Sequence, residues 1–380
     1  MSPLDQATRI VIKLGSALIV DRDAKAPRAA WLRTLADDIA LLRAEGKQVI
    51  LVSSGAAALG RIELAKSSHQ NNRTGALELK QAAAALGQPR LMTALSEAFE
   101  PHGISLAQTL LTIEDTEVRR RWLNARATLF TLLDHDAIPV INENDTVATS
   151  ELRYGDNDRL AARVAQMVGA DALILLSDID GIYTADPRNN PNAEHIAELK
   201  NITPEIRGYA GSANAQAGVG TGGMITKLDA ADIALTAGCS TAITLGNIDH
   251  PLKRLVNGGR ASWVLADVTP QAARRSWLSG HLTPEGSLTI DDGAQKALLK
   301  GASLLPVGIK RVSGAFMRGA ALSVYTLDGT LIAKGVTTYS SSEIEQIRGL
   351  QSVDVSQRLG YPARTAVIHR DDMILVEGDH

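Results

Sequence analysis

The chain has 380 residues, 45% of them hydrophobic and 21% charged, a composition typical of a globular protein long enough to build two cores. A formal net charge of -3 gives no electrostatic basis for binding nucleic acid or an acidic membrane surface, and 3% aromatic residues leave little for a base-stacking platform. The single cysteine, Cys239, excludes an intrachain disulfide and a thiolate-rich metal site.

Near the start, Asp5 precedes the first apolar run, Ile10 to Ile12, which is too short for an export signal. No apolar stretch approaches membrane-spanning length, so the expected location is the cytoplasm. Residues 9–13 are predicted as a buried strand ending at Gly15. Trp31, Leu32, Leu35, Ile39 and Leu42 then recur at helical spacing until Glu45-Gly46. Residues 48–52 form a second predicted strand, followed by Ser53-Ser54-Gly55 and an Ala-rich helix. Further strands are predicted over 104–110, 137–141, 172–176 and 241–245, with helical patterns between them. Cys239 closes one of these apolar helical stretches and reads as a small buried hydrophobe. Strand, glycine turn and helix in repetition predict an α/β fold, a mostly parallel sheet covered on both faces, with ligands at the carboxyl ends of its strands.

Residues 268–284 carry Thr269-Pro270, Arg274-Arg275 and Thr283-Pro284 and are predicted as a linker around a short segment. The first domain is therefore set at 1–267 and the second at 285–380. In the second, short strands are predicted over 287–290, 309–312, 321–326, 331–336, 366–369 and 373–376, with one helix near 294–300. That pattern predicts a small β-barrel-like module.

Four segments carry chemistry. Lys13-Leu14-Gly15-Ser16 offers a lysine for phosphate oxygens beside a glycine that lets the backbone approach closely; an ordinary surface lysine explains it better when taken alone. Ser53-Ser54-Gly55-Ala56 offers donors at a helix start, and a serine N-cap is an equally good account. The polar runs Asn142-Glu143-Asn144-Asp145 and Gly155-Asp156-Asn157-Asp158 hold more amides and carboxylates than a cap at Asp158 needs. They suit an α-amino acid, whose ammonium wants acceptors and whose carboxylate wants donors. Gly218-Val219-Gly220-Thr221-Gly222-Gly223 precedes a helix bearing Lys227, as a phosphate cradle does, without the Walker A spacing.

Together with Tyr183-Thr184-Ala185-Asp186-Pro187-Arg188, these segments resemble the amino acid kinase family, and within it the members that phosphorylate the side-chain carboxylate of glutamate. The stretch from about Gly286 resembles a PUA domain. The likeness runs in order through nearly the whole chain; Ser16, Ser53, Ser177 and Ile225 depart from the residues frequent in the family. It implies a three-layer sheet sandwich, with ATP and L-glutamate as substrates and L-glutamyl 5-phosphate as product. Lys13 and Lys227 would be catalytic, held in place by Asp158. Ser54, Asp145 and Asn157 would bind glutamate. Lys13, Gly15, Ser177, Asp178, Thr221, Gly222, Gly223, Met224, Ile225, Thr226 and Lys227 would contact ATP. Magnesium would travel with the nucleotide, with no protein residue assigned to it. The resemblance also implies proline as a feedback inhibitor and a homo-oligomer, a dimer or tetramer. The loop 61–75 is either regulatory or an ordinary surface loop. PUA-like modules also occur in RNA-modifying enzymes. From Gly286 onward, however, ten Lys and Arg are balanced by ten Asp and Glu, so no nucleic acid partner is expected.

Overall fold

The computed structural model describes residues 3–21, 23–66, 76–147, 157–217, 223–281 and 283–376. The chain divides into two compact units, Met1–Pro270 and Gln271–His380.

In the first unit, eight strands form one sheet: β1 (Arg9–Leu14), β2 (Gln48–Ser53), β3 (Leu106–Leu111), β4 (Ile138–Glu143), β5 (Ala172–Ser177), β6 (Glu198–Leu199), β7 (Ser240–Leu245) and β8 (Ala261–Val264). Their order is β6-β8-β7-β5-β1-β2-β4-β3, and every pairing is parallel except β7 with β8. The main helices are α1 (Ala29–Ala44), α2 (Ala56–Leu64), α3 (Ala76–Phe99), α4 (Arg119–Asp134), α5 (Asn157–Val168), α6 (Pro204–Ala217) and α7 (Met224–Thr236).

Successive side chains of a strand point to opposite faces, and here this separates two cores. Ile10, Ile12 and Leu14 of β1 join Val49, Leu51, Ile174 and Leu176 in a cluster covered by α1 and α3. Val11 joins Ile50, Val52, Leu173 and Leu175 in a second cluster covered by α5 and α7. The continuous apolar runs of the sequence are thus strands buried on both faces. Cys239 is fully buried in the second cluster, and burial pushes its thiol pKa up, which makes it inert. Among the described residues, no helix is long and apolar enough to cross a membrane.

Two boundaries differ from the sequence reading. Strand β4, expected to end at 141, runs on through Asn142 and Glu143, all six of its residues buried, so half of the first polar run belongs to the sheet. Most of the expected linker is a helix, α8 (Pro270–His281). Pro270, placed in that linker, stands at the first helical position, where its missing N–H is not needed.

In the second unit, β9 (Gly286–Ile290), β10 (Ile309–Ser313), β11 (Ala321–Tyr325), β12 (Leu331–Thr337) and β13 (Ile368–Leu375) form a sheet ordered β10-β9-β11-β12-β13. Residues 366–369 and 373–376, expected as two strands, contribute to the single strand β13, which pairs with β12 across a register shift. Among the described residues from Gly286 on, three helices occur where one was expected: α9 (Asp292–Leu299), α10 (Ser341–Ile347) and α11 (Ser352–Leu359). The start of α10 was legible, because Ser340 and Glu343 form a capping box. Leu288, Leu322, Val324, Ile344, Ile347 and Val355 share its core.

Candidate active site

Lys13 lies two residues beyond Val11 and so shares its face of the sheet, the one covered by α5 and α7. Each of those helices brings one partner. Asp158 stands in the first turn of α5 and Lys227 in the first turn of α7, and all three side chains are buried. Lys13 Nζ is 2.5 Å from Asp158 Oδ1, and Lys227 Nζ donates to Oδ2 at 2.9 Å. Thr226 Oγ1 lies 3.3 Å from the same Oδ2. Burial by itself would raise the pKa of Asp158; the two ammonium groups overcome it and hold the carboxyl well below its ordinary range. The three side chains together carry one net positive charge, and burying charge is costly unless it is paired. A polyanion is the natural fourth member.

The start of α2 forms the neighbouring wall. Gly55 caps that helix with φ 103°, a conformation that glycine adopts without strain, and no side chain caps it. The serine N-cap that was the alternative account of this segment is therefore absent. Ser54 is half-buried, and its N–H ties the loop to β1 by donating to Leu14 O at 3.1 Å. Asn157 donates from Nδ2 to Ser53 O at 2.6 Å and to Asn142 Oδ1 at 2.8 Å. Both amide hydrogens are spent on the protein, so Nδ2 has no further donor to offer. Asp145 is half-buried in the turn after β4.

Gly15 caps the short helix Ser16–Ile19, and a methyl group there would touch only Leu176 O, at 4.0 Å. Neither packing nor φ demands glycine at this position, in keeping with close approach by a ligand. Ser177 ends β5, buried, with its hydroxyl 3.1 Å from Asp178 Oδ1. Asp178 is exposed and faces Arg188 at 3.8 Å. Downstream, Asp186 accepts from Arg188 N at 3.0 Å and from Asn189 Nδ2 at 3.1 Å, which locks the turn and lowers its own pKa. Gly223 precedes α7, and its carbonyl accepts from Thr226 N at 3.1 Å. Met224 is half-buried, while Ile225 is exposed. Thr221 and Gly222, with the rest of 218–222, lie outside the described residues, as do 148–156 and 67–75 of the loop 61–75.

Sequence reasoning missed Gln88 and the helix crossing that delivers it. Gln88 Oε1 accepts from Asn142 Nδ2 at 2.9 Å. A Cβ on Gly60 would stand 1.6 Å from Ala83 O, and one on Gly87 would stand 1.7 Å from Ala56 O. Only glycine allows α2 and α3 to cross this closely. The available signal was a glycine inside an Ala-rich helix, which marks a close backbone approach. Among the described residues, no cluster of three metal-ligating side chains occurs.

The model of the amino acid kinase family matches residues 8–244, and that of the PUA domain matches residues 286–359. The chain is similar to the glutamate 5-kinase of Caulobacter vibrioides (strain NA1000 / CB15N), at 54% identity over 369 residues and 97% of each chain. It is 52% identical over 375 residues to that of Paramagnetospirillum magneticum, covering 99% of this chain and 100% of the relative. Against the glutamate 5-kinase of Rhodospirillum rubrum the identity is 53% over 365 residues, covering 96% of each.

Proposed function

We infer the reaction from one premise: this chain belongs to the amino acid kinase family, and within it to the glutamate 5-kinases. It transfers a phosphoryl group from ATP to the side-chain carboxylate of L-glutamate, giving L-glutamyl 5-phosphate, the first step of proline biosynthesis. The observation that carries this is identity above one half to these enzymes over nearly the entire chain.

The chemistry asks little of acid–base groups. The attacking carboxylate is ionised near neutral pH and needs no general base. The obstacle is to press one anion against another, which calls for fixed positive charge and alignment. In our reading, Lys13 and Lys227 meet the phosphates, and their charge counts most as negative charge shifts from the acceptor oxygen to the leaving ADP. Asp158 positions both ammonium groups. It leaves the phosphoryl group alone, because each of its oxygens is engaged by a lysine. Asn157 Oδ1 and Asp145 accept from the ammonium of glutamate, and Ser54 donates to a carboxylate oxygen of the same substrate. Gly15, Ser177, Asp178 and the run 221–227 hold the nucleotide. Asp158 is committed to the two lysines, so a magnesium ion arriving with ATP would be held chiefly by the nucleotide and water, and would supply neutralisation of phosphate charge.

The kinase reading occupies residues 1–267 and the PUA domain 285–380, joined by 268–284. Proline inhibition, a dimer or tetramer, and a cytoplasmic location complete the proposal, on the strength of the family resemblance. The test is ADP release with glutamate, N-acetylglutamate, aspartate or UMP, with hydroxylamine present to trap an acyl phosphate. A hydroxamate formed with glutamate above all others is the expected result; turnover that favours another acceptor overturns the reading.

A further inference from the structure

Gln88 is 8% exposed on α3, and only half of its amide is used. A main-chain group fixes which half. The N–H of Glu143 can only donate, and it meets Asn142 Oδ1 at 2.9 Å. Asn142 Nδ2 must then face Gln88, whose Oε1 accepts at 2.9 Å. The orientation of the Gln88 amide is therefore set by the backbone through Asn142, and the atom left over is Nε2. It meets no acceptor among the described residues.

A buried donor without an acceptor is destabilising, and such groups are few in native proteins. This one stands at the end of a relay, Asn157 to Asn142 to Gln88, that begins beside Asp158. The side-chain carboxylate of the substrate has to face the phosphoryl group near the lysines. Away from them, the anionic group that remains is the α-carboxylate.

We propose that Gln88 is a specificity-determining residue whose Nε2 donates to the α-carboxylate of the amino acid substrate, an inference that rests on the glutamate kinase reading. The bond is charge-assisted, and the donor is already buried and oriented before the substrate arrives. Gln88 thereby selects an amino acid with a free α-carboxylate, whichever group accepts the phosphoryl.

The comparison that tests this uses L-glutamate and its α-amide, which keeps the side-chain carboxylate as phosphoryl acceptor. Gln88→Glu retains an acceptor for Asn142 Nδ2 but sets an anion against the α-carboxylate. It is expected to raise the KM for glutamate roughly ten- to a hundred-fold, with the KM for ATP unchanged, and to shift preference toward the α-amide, whose NH2 can donate to the new carboxylate. Gln88→Ala is expected to narrow the preference without reversing it, and it serves if the first variant fails to fold. Equal changes in KM for both acceptors, or no change, would make Gln88 purely structural and overturn the inference. Hydroxamate formation by the unaltered chain with glutamate is measured first; its absence sinks the kinase reading, whereas an active chain with indifferent Gln88 variants sinks only this one.

Discussion

Lys13 and Lys227 share one carboxylate: the first ammonium lies 2.5 Å from Oδ1 of Asp158 and the second 2.9 Å from Oδ2. One lysine comes from the central strand of the sheet and the other from a helix on its face, so the positive charge at the site is held by two independent elements.

Replacing Lys227 with Ala is expected to lower kcat roughly a hundred- to a thousand-fold and to change the KM for glutamate little, because its charge is used most in the transition state. Steady-state kinetics with both substrates varied checks this. An unchanged kcat removes Lys227 from the mechanism.

Asp158→Asn leaves two buried ammonium groups facing a neutral amide. The variant is expected to lose activity and about 3–5 kcal/mol of stability, the usual cost of removing one partner of a buried ion pair. The sign with pH follows from the depressed carboxyl. The stabilisation is complete above the ordinary value of 3.8 and is lost as pH falls through the lower folded value. Thermal melts should therefore show the largest gap between the two proteins near neutral pH, closing in strong acid.

Asn157→Ala removes the Oδ1 acceptor and both ties, to Ser53 O and to Asn142. The expected effect is a KM for glutamate raised about ten-fold or more, with ATP use nearly unchanged. A selective effect on ATP would reassign Asn157 to the nucleotide.

Gly87→Ala forces a methyl group to within 1.7 Å of Ala56 O, so α2 has to shift. The expected loss is about 1–3 kcal/mol of stability, with a raised KM for glutamate because Ser54 and Gly55 lie at the start of that helix. Gly208→Ala is the control: nothing stands within 4 Å of its Cβ position. Denaturant titration of both variants separates overpacking from the general effect of glycine in a helix.

In the second unit, Glu343 accepts from Arg318 Nε at 2.9 Å, Ser340 N at 2.8 Å and Tyr361 OH at 2.8 Å. The Arg318 bond chiefly, with the Ser340 cap, brings its pKa from 4.5 down to about 2. Its contribution is present in full above pH 4.5 and is lost as pH falls through about 2. Glu343→Gln is expected to cost about 1–2 kcal/mol at neutral pH after solvent screening at the half-exposed Arg318, and to flatten the acid limb of stability. Calorimetry across that pH window is the measurement.

The sheet was legible because its strands are buried on both faces, so that runs such as 49–52 and 172–176 are apolar throughout and end next to Ser53 and Ser177. Local rules failed where a residue type has two uses. Pro270 was placed in a linker but starts a helix, and Asn142 was placed after a strand but lies within it, because hydrogen bonds with Asn157, Gln88 and the Glu143 N–H satisfy its buried amide. The fused strand β13 was hidden because the polar residues Arg370 and Asp371 interrupt its apolar pattern.

Alone, the sequence determined which side chains were available: two lysines near strand and helix ends, a carboxylate at a helix start, glycines where backbone must turn or come close. Only the tertiary structure decided that Lys13, Asp158 and Lys227 meet, that the hydrogens of Asn157 are already spent, and that Gln88 ends the amide relay from Asn157 with a donor to spare. Periodicity and capping act over a few residues and are written locally. Convergence depends on β1 lying between β2 and β5, and on α2 and α3 crossing at Gly60 and Gly87, relations between segments far apart in the chain.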